Sequence, residues 1–379
     1  MSIFKETTNN AGTSSGKVKS DLAYVNIKSR RASVKLQRFE GNPVISPNPA
    51  NQWESFVTTN PGAWYDRQSG VVNLLYRAAG NDSRHVVRFG LAVSRDGYNF
   101  HRFDKPVISP SADGLDGGCM EDPRIVKMGQ FYYITYATRV FPPGEYWLND
   151  GKCYKSPDCS DEFPLCVREN HTTSHLLITK DFKNFIRAGR LTDPMMDDRD
   201  VVLFPEKIGG KFYMLHRPME WCGKEYGTDY PAIWISSADD MLAFKKSKLL
   251  AKATFPWELK IGGNTPPIRT DAGWLTIYHA VGKDKYYRLG AILLDLEDPT
   301  KVKYRTRDWI LQPETDYETQ GCYSGGGVVF PCGKVIIDNK LFVYYGAADK
   351  YVGLATCKVD DLINYLLSCP VTGPGNESD

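Results

Sequence analysis

The chain has 379 residues, of which 42% are hydrophobic and 24% charged, and its formal net charge at pH 7 is +2. This composition is typical of a soluble globular protein, and the near-neutral charge gives no reason to expect a nucleic acid or an acidic membrane as a partner. No apolar run approaches the roughly 20 residues that a membrane-spanning helix needs. Aromatic residues reach 12%, which favours β structure because their side chains pack well on a pleated surface.

The N-terminal segment, residues 1–36, is polar and predicts an arm in front of the folded domain. It lacks the apolar core of a signal peptide, so we expect a cytoplasmic location. The nine Cys residues form an odd set without a disulfide framework, as is typical of reduced thiols. Cys153, Cys159 and Cys166 lie together, but they lack the close Cys pairs of zinc sites, so no metal is expected there.

A repeated unit organises residues 37–369. It consists of a Pro-containing turn, a short apolar strand, a polar turn and an aromatic-rich strand, and each unit is followed by a further strand pair. The repeated prolines are Pro61, Pro123, Pro205, Pro267 and Pro331. Units of four short strands are typical of propeller blades. The sequence therefore predicts an all-β protein that forms a five-bladed β-propeller, followed by a C-terminal tail at residues 370–379.

One interval between the repeated prolines is longer than the others, 82 residues against 62 to 64. The additional residues, 141–171, are rich in Pro, Cys, Tyr and charge. We expect them to form a loop over the top face of the propeller, because functional insertions collect in such surface loops.

The ends of the blades carry a set of cations. The innermost strands of a propeller converge on one axis, so corresponding residues of the repeats should meet there. They supply Arg77, Arg199, Arg217, Lys260 and His279. Arg and Lys side chains match the oxygens of phosphate. The alternative is that each Arg pairs with a neighbouring Asp or Glu in a structural network.

The second repeat alone contains Glu121-Asp122-Pro123-Arg124, and we expect Asp122 to be a proton donor. Successive side chains of a strand point to opposite faces, so only one carboxyl group should face the axis, with Glu121 as its support held by Arg124. Alternatively, the acidic pair caps the turn and forms a salt bridge with Arg124.

The inventory of charged residues favours phosphorolysis over hydrolysis. Most glycosidases need two carboxyl groups, whereas phosphate arrives already anionic and needs no base. The sequence nevertheless contains further acids, so counting does not exclude hydrolysis. These are Asp66, Asp200, Glu206 and Asp349.

The sequence resembles glycoside hydrolase family 130, the β-mannoside phosphorylases, over roughly residues 41–360. Each motif is weak alone, but together they are specific. They are Glu121-Asp122-Pro123-Arg124, Leu203-Phe204-Pro205, His216-Arg217-Pro218, Lys260-Ile261-Gly262, Thr265-Pro266-Pro267, Tyr278-His279, Tyr287-Arg288-Leu289-Gly290, the segment 294–299 and the segment 344–349.

The resemblance implies inverting phosphorolysis of a β-mannoside to α-mannose 1-phosphate. Asp122 is then the general acid, and its proton passes through the mannosyl 3-hydroxyl. The implied phosphate-binding residues are Arg199, Arg217, Lys260, His279, Tyr287 and Arg77, with Arg88 as a competitor of Arg77. The predicted sugar-binding residues are Asn60, Arg88, Asp349, Asp66 and Glu121.

The polar arm and the Cys-containing insert are similar to members that act on 4-O-β-D-mannosyl-D-glucose. This implies phosphate as co-substrate, no cofactor, no metal, and a homo-oligomer, possibly a hexamer. Three alternatives stay open at this point. They are a β-mannosidase that uses water, a phosphorylase of another β-mannoside such as mannosyl-N-acetylglucosamine or a β-1,4-mannooligosaccharide, and a non-catalytic sugar-binding propeller.

Overall fold

The repeated units of the sequence form five antiparallel sheets, and the prediction of a five-bladed β-propeller is confirmed. A computed structural model of the chain describes residues 33–111, 114–145, 159–321 and 326–371. Strands are numbered in chain order, and each blade begins at its innermost strand. Within a blade, most consecutive strands are joined by short turns and pair with each other in antiparallel fashion.

The blades have the following strands. The first contains β2 (Val57–Asp66), β3 (Val71–Ala79), β4 (Arg88–Ser94) and β5 (His101–Arg102). The second contains β6 (Cys119–Met128), β7 (Phe131–Arg139), β8 (Thr173–Thr179) and β9 (Phe185–Arg190). The third contains β10 (Asp198–Leu203), β11 (Phe212–Pro218), β12 (Ile233–Ala238) and β13 (Lys245–Ala251). The fourth contains β14 (Lys260–Gly263), β15 (Ile268–Thr270), β16 (Gly273–Val281), β17 (Tyr287–Leu294) and β18 (Val302–Arg305). The fifth contains β19 (Val329–Ile337), β20 (Lys340–Ala347), β21 (Tyr351–Lys358) and, as its outermost strand, β1 (Gln37–Arg38).

Both ends of the chain build the fifth blade, because β1 pairs with β21. Leu36, which the sequence assigned to the arm, is buried, and its backbone N–H donates to the carbonyl of Ile310 at 2.8 Å. The propeller therefore begins slightly before the predicted boundary. Residues 1–32 of the predicted arm and residues 372–379 of the predicted tail lie outside the described residues.

Helical structure is confined to short elements at the edges of the blades. They are the 3-10 helices Gln52–Glu54 and Lys224–Tyr226 and the α-helices α1 (Leu165–Arg168), α2 (Asp316–Thr319) and α3 (Val359–Leu367). In α3, Leu362 and Leu366 lie one turn apart and pack into the core. Within the described part of the chain, no helix is long and apolar enough to span a membrane.

The hydrophobic core lies between neighbouring blades rather than in one central cluster. Alternate apolar side chains of each sheet face the next blade, and their burial drives the blades together. Representative buried pairs from blade to blade are Leu75 with Ile134, Val126 with Leu203, Ile235 with Ile292, Ile277 with Val343, and Phe342 with Leu74.

The predicted insert, residues 141–171, is described only at its two ends. Residues 146–158, including Cys153, lie outside the described residues, whereas Cys166 is buried in α1. Asn170 closes the base of the insert, since its side-chain amide exchanges two hydrogen bonds of 3.0 Å with the backbone of Phe141.

An irregularity recurs on the innermost strands and determines which side chains face the axis. β2, β6, β10 and β19 each contain a register shift relative to the second strand of their blade, and in the fourth blade the inner strand is divided into β14 and β15. Such a bulge bends the strand and redirects side chains. Asn60, Asp122 and Asp200 lie at these bulges with positive φ of 45°, 52° and 56°, a conformation that Asn and Asp adopt more readily than other side chains.

Glycines allow the inner strands to approach one another closely beyond the bulges. A Cβ atom on Gly62 would overlap the carbonyl oxygen of Pro123, and one on Gly333 would overlap the backbone nitrogen of Ala63. Because backbone atoms of a neighbouring blade cannot move aside easily, these positions require glycine. They narrow the central channel between its two ends.

We expect Gly333→Ala to lower the free energy of unfolding by about 1–3 kcal/mol, because the added methyl group overpacks the contact with Ala63. The measurement is the urea unfolding midpoint. Gly263→Ala is the matched control, since its nearest neighbour would be Leu215 Cβ at an ordinary 3.4 Å. Equal midpoints for the two variants would show that the narrow part of the channel tolerates a side chain.

Candidate active site

The bulged ends of the inner strands bring two groups of charged side chains together at one end of the axis. The first set, called the carboxylate group below, consists of Glu121, Asp122 and Asp349 around Arg77. The second set, called the cationic group, consists of Arg199, Arg217 and Lys260 around Asp200. Arg124 lies between them, in contact with the backbone of Asp122 and with the side chain of Asp200. The predicted convergence of residues from distant repeats is therefore what the structure shows for most of the set.

Asp122 is held by the neighbouring blade. Its Oδ1 accepts hydrogen bonds from Asn60 Nδ2 at 2.8 Å and from Arg77 Nη1 at 2.9 Å. Within the described residues no group donates to Oδ2, which leaves that oxygen available to a ligand. The carboxyl group is thus oriented by two donors on one oxygen, an arrangement that suits a group that must transfer a proton in a defined direction.

The structure corrects the expected role of Glu121. We expected its side chain to point away from Asp122 and to contact Arg124, but Arg77 Nη1 donates to Glu121 Oε2 at 2.8 Å and also to Asp122. The bulge breaks the strict alternation of strand side chains, so both acids reach the same guanidinium. Burial alone would raise the pKa of Glu121, but Arg77 and Arg139 outweigh it and hold the pKa below its usual value.

Asp349 lies on the other side of Arg77, with 3.8 Å between its Oδ1 and Arg77 Nη2. Burial raises the pKa of Asp349 to about 6, although Arg77 opposes the shift. Arg77 therefore lowers the pKa of one acid beside it while a second acid nearby remains easily protonated. A carboxyl group that titrates near neutral pH can donate or accept a hydrogen bond from a sugar hydroxyl.

Arg124 connects three blades across the axis and is only 2% exposed. Its Nε donates to the carbonyl of Asn264 at 2.9 Å, its Nη1 to the carbonyl of Asp122 at 3.0 Å, and its Nη2 to Asp200 Oδ1 at 3.2 Å. The sequence suggested that Arg124 holds Glu121, but none of these hydrogen bonds goes to Glu121. Its contacts make it a positioning residue for the two charged groups.

Asp200 is the anionic centre of the cationic group. Its Oδ2 accepts a hydrogen bond of 2.5 Å from Arg217 Nε, and His279 Nε2 lies 3.9 Å away. Burial alone would raise the pKa of Asp200, but Arg217, His279 and Arg124 hold it far below its usual value. The carboxylate is therefore ionised and aligns Arg217 toward the axis.

Arg199, Arg217 and Lys260 form the cationic group. Arg199 and Arg217 are direct cross-strand partners, and Asp197 accepts two hydrogen bonds of 2.5 and 2.6 Å from Arg199. Lys260 has no carboxylate within ion-pair distance among the described residues, and burial together with Arg217 lowers its pKa. An incoming anion would relieve this mutual repulsion of like charges.

His279 lies deeper than predicted. It is fully buried and its ring stacks against Tyr287. The distance between His279 Nδ1 and Asn264 Oδ1 is 2.5 Å. Burial lowers its pKa to about 3, so the ring is neutral. In this orientation Nδ1–H donates to Asn264 and Nε2 carries no proton. A half-turn of the Asn264 amide would reverse the donor and acceptor, and would leave Nε2–H as a donor.

Tyr287 is half-buried above His279, and its ring centroid lies 5.9 Å from Lys260 Nζ. It therefore lies beside the cationic group, and the phosphate-binding role that the family resemblance implies for it stays a prediction. Gly262 closes the other side of this group, because a Cβ there would overlap Asp200 Oδ2. Only glycine at this position lets Asp200 and Arg217 meet.

Within the described residues, two predicted sugar-binding residues form no hydrogen bond or ion pair with the cluster. Asp66 is at the turn end of β2, where its carboxylate accepts hydrogen bonds from Gln68 N and Ser69 Oγ. The prediction for Asp66 is wrong in its placement, because Asp66 lies six positions beyond Asn60 along β2. Arg88 lies on β4, opposite Ala78, and donates to the carbonyl of Val86. Of the two competing arginines, Arg77 lies in the cluster.

Sequence reasoning missed Asn264 and the contact of Arg124 with Asp200, and it considered Asp200 only as a spare acid or as the partner of an Arg in a structural network. The repeats contained a usable signal, since Asn60 and Asp122 precede the repeated prolines and Asp200 occupies the matching bulge position. Aligning the repeats by this polar residue would have identified Asp200 as part of the site.

The fold and the site define a class of protein, a five-bladed propeller with oriented carboxyl groups beside a set of cations. The family model described as β-1,4-mannooligosaccharide phosphorylase matches residues 29–147 and 161–368. The chain therefore belongs to glycoside hydrolase family 130, and its class is that of the β-mannoside phosphorylases.

Relatives of known activity differ in the linkage that their names state. The chain is 37% identical to a 1,2-β-oligomannan phosphorylase of Thermoanaerobacter sp. over 87% of its length and 99% of the relative. It is 27% identical to a 4-O-β-D-mannosyl-D-glucose phosphorylase of Bacteroides fragilis, over 89% of this chain and 82% of that one. The solved structure of β-1,2-mannobiose phosphorylase from Listeria innocua, in complex with β-1,2-mannobiose, superposes with a TM-score of 0.69 at 27% identity and covers 88% of this chain and 99% of that one.

We expect Asp349→Asn to make the protein less sensitive to pH between 5 and 8. The folded pKa of about 6 exceeds the unfolded value of about 3.9, so the folded state binds more protons between these values. The free energy of unfolding of the unmodified protein should therefore fall as pH rises through this range, and the variant should lack that fall. Because 23% of the side chain is exposed, we expect a difference of only about 1 kcal/mol.

The measurement is urea unfolding at pH 5 and at pH 8. Asp229→Asn, which replaces an exposed carboxyl group, is the control. Parallel pH profiles for Asp349→Asn and the unmodified protein would contradict a raised pKa at this position.

Proposed function

We propose that the protein cleaves the terminal mannosyl residue of a β-mannoside with inorganic phosphate and releases α-D-mannose 1-phosphate with inversion at the anomeric carbon. The observation that carries the proposal is that one oriented acid, Asp122, lies near a cationic group that includes Lys260, which has no carboxylate partner among the described residues. A neutral sugar does not require such a group of cations, whereas a phosphate dianion does.

The mannosyl residue is assigned to the carboxylate group. Asn60 and Asp349 are its proposed polar contacts, and Asp122 is the general acid. In the reaction the glycosidic C–O bond breaks, a phosphate oxygen forms a new bond to the anomeric carbon, and a proton passes to the leaving sugar oxygen. The resemblance to the family implies that this proton travels from Asp122 through the mannosyl 3-hydroxyl. Phosphate attacks from the opposite face, which inverts the configuration.

Phosphate is assigned to Arg199, Arg217 and Lys260. Arg217 is held through Nε by Asp200, so its terminal nitrogens remain suited to a fork of hydrogen bonds with two phosphate oxygens. Tyr287 and His279 complete the predicted phosphate-binding set, with His279 beneath the ring of Tyr287. Arg77 was predicted to bind phosphate, but its contacts with Glu121 and Asp122 favour a role in positioning the acid.

A β-1,2-linked mannoside is the preferred substrate class, because the relative at 37% identity is a 1,2-β-oligomannan phosphorylase. The second candidate is 4-O-β-D-mannosyl-D-glucose, which the sequence favoured and which is named for a relative at 27% identity. Much of the insert that would distinguish acceptors, residues 146–158, lies outside the described residues. Phosphate as the only co-substrate and a hexameric assembly stay predictions.

The decisive assay incubates the protein with β-1,2-mannobiose, 4-O-β-D-mannosyl-D-glucose or β-1,4-mannobiose, each with and without phosphate. We expect α-mannose 1-phosphate only when phosphate is present, and the highest kcat/KM for the β-1,2-linked disaccharide. Asp122→Asn should lower kcat by about 10²–10⁴-fold because it removes the general acid.

Asp66→Asn is the matched control, since Asp66 lies in a surface turn and should leave kcat unchanged. Equal mannose release without phosphate would identify a β-mannosidase instead. Full turnover by Asp122→Asn would exclude Asp122 as the acid, and no turnover on any of these β-mannosides would favour a sugar-binding protein.

We expect Lys260→Met to raise the KM for phosphate at least tenfold, with a smaller effect on the KM for the disaccharide. The substitution removes a cation from the group while keeping the aliphatic stem that packs there. Initial rates against phosphate at saturating disaccharide provide the measurement, and Lys248→Met on the exposed surface is the control. An equal rise in both KM values would place Lys260 outside the phosphate site.

A further inference from the structure

A second cavity of about 320 Å³ opens at the opposite end of the central channel. Every blade contributes lining residues to this cavity. They lie beyond the bulge, either on the inner strand itself or just after it. Representative lining residues from the five blades are Trp64, Val126, Pro205, Ile268 and Val335. The cavity is distinct from the candidate active site, because Asn60, Asp122 and Asp200 lie at the bulges, whereas the cavity is lined by residues that follow the bulges and by none of the residues of that site.

The narrow part of the channel separates this cavity from the candidate active site. There Gly62 and Gly333 bring the backbones of neighbouring inner strands together, and Arg124 fills the space between the second, third and fourth blades. A ligand in the second cavity therefore has its own binding surface, and its recognition does not depend on the function proposed above.

Lys334 lies at the wall of this second cavity and is only 6% exposed. Its Nζ donates to Thr265 Oγ1 at 2.8 Å and to the carbonyl of Pro266. A lysine ammonium has three donors, and within the described residues the third has no acceptor and no carboxylate lies within ion-pair distance. A buried ammonium without a counter-charge is costly, and burial accordingly lowers the pKa of Lys334 well below its usual value.

The remaining lining combines positive charge with apolar surface. Arg67 and Arg269 also line the cavity, and its lining residues include no Asp or Glu. Arg269 forms a salt bridge with Glu206 at the exposed surface, 2.9 Å long. Most of the other lining residues are Pro, Ile, Val, Trp or Ala. Trp64 has a buried indole N–H with no acceptor among the described residues.

These features select one class of ligand. A sugar would leave most of its hydroxyl groups unpaired against Pro, Ile and Val side chains, which is unfavourable. A phosphate dianion could pair with the cations of the lining but would bury none of the apolar walls. A monocarboxylate with an apolar body would supply the missing acceptor of Lys334 and would bury its body against the apolar walls.

We propose that the cavity between the turn ends of the inner strands binds a small organic monocarboxylate with an apolar or aromatic body, and that Lys334 pairs with its carboxylate. The alternative is structural, in which Lys334 only ties the fifth blade to the fourth through Thr265 and Pro266. The two readings differ in whether an added carboxylate binds saturably at this position.

The test titrates the full-length protein with benzoate and, as the neutral isostere, with benzamide, and follows binding by calorimetry and by saturation-transfer NMR. We expect saturable benzoate binding and at least tenfold weaker benzamide binding. Prior saturation with phosphate and mannose 1-phosphate should leave the benzoate affinity unchanged, because these ligands belong to the other end of the channel.

Three variants locate the site. Lys334→Met should lower the affinity for benzoate at least tenfold, because it removes the charge. Ile268→Trp should lower it at least tenfold by filling the cavity. Arg67→Gln should lower it by a smaller factor, because Arg67 lies at the mouth of the cavity. Ile268→Trp and Arg67→Gln leave the bonds of Lys334 intact, so they test the site even if Lys334→Met fails to fold. Lys248→Met is the control and should bind benzoate normally.

The proposal is overturned if benzoate does not bind saturably, if Ile268→Trp and Arg67→Gln both bind it as tightly as the unmodified protein does, or if phosphate displaces it. Equal affinities for benzoate and benzamide would also overturn it, because the carboxylate would then contribute nothing. A benzoate-induced rise in the thermal midpoint that is absent from Ile268→Trp would add independent support.

Discussion

The buried guanidinium of Arg124 is the interaction on which the rest of the structure depends. It hydrogen-bonds the backbone of its own blade, the carbonyl of Asn264 in the fourth blade and the side chain of Asp200 in the third. A buried charge of this kind is tolerated only when its donors are satisfied and an opposite charge is near. Asp200 supplies that charge and also orients Arg217, so the contacts that hold the axis together also position the proposed phosphate site.

The second organising feature is the bulge on each inner strand. A regular strand would send neighbouring side chains to opposite faces, and Glu121 and Asp122 would then face different blades. The bulge instead allows both acids to contact Arg77. Asn60, Asp122 and Asp200 occupy the strained backbone positions because their short polar side chains accept positive φ at little cost. The chemistry of the site and the shape of the strands therefore require the same residue types.

The bulges and the glycines of the channel divide the axis into two environments. One end contains paired acids and cations, where Arg77 lowers the pKa of Glu121 while burial raises that of Asp349. The other end is mainly apolar and contains a buried lysine without an anionic partner among the described residues. Both environments lie along the same inner strands, and the polar residues at the bulges belong to the first of them, whereas the residues beyond the bulges line the second.

The sequence by itself determined the repeat, the number of blades and the charged motifs at the blade ends, because blade periodicity and charged motifs are local properties of the chain. Only the tertiary structure decided how these charges pair. In the structure Arg77 contacts the carboxylates, and Arg124 contacts Asp200 rather than Glu121. Asp66 lies at the turn end of its strand, away from Asn60. Likewise, only the fold revealed that Lys334 lacks a counter-charge among the described residues. Such pairings join residues that are far apart in the sequence, and they depend on where a bulge turns a side chain, which no local pattern specifies.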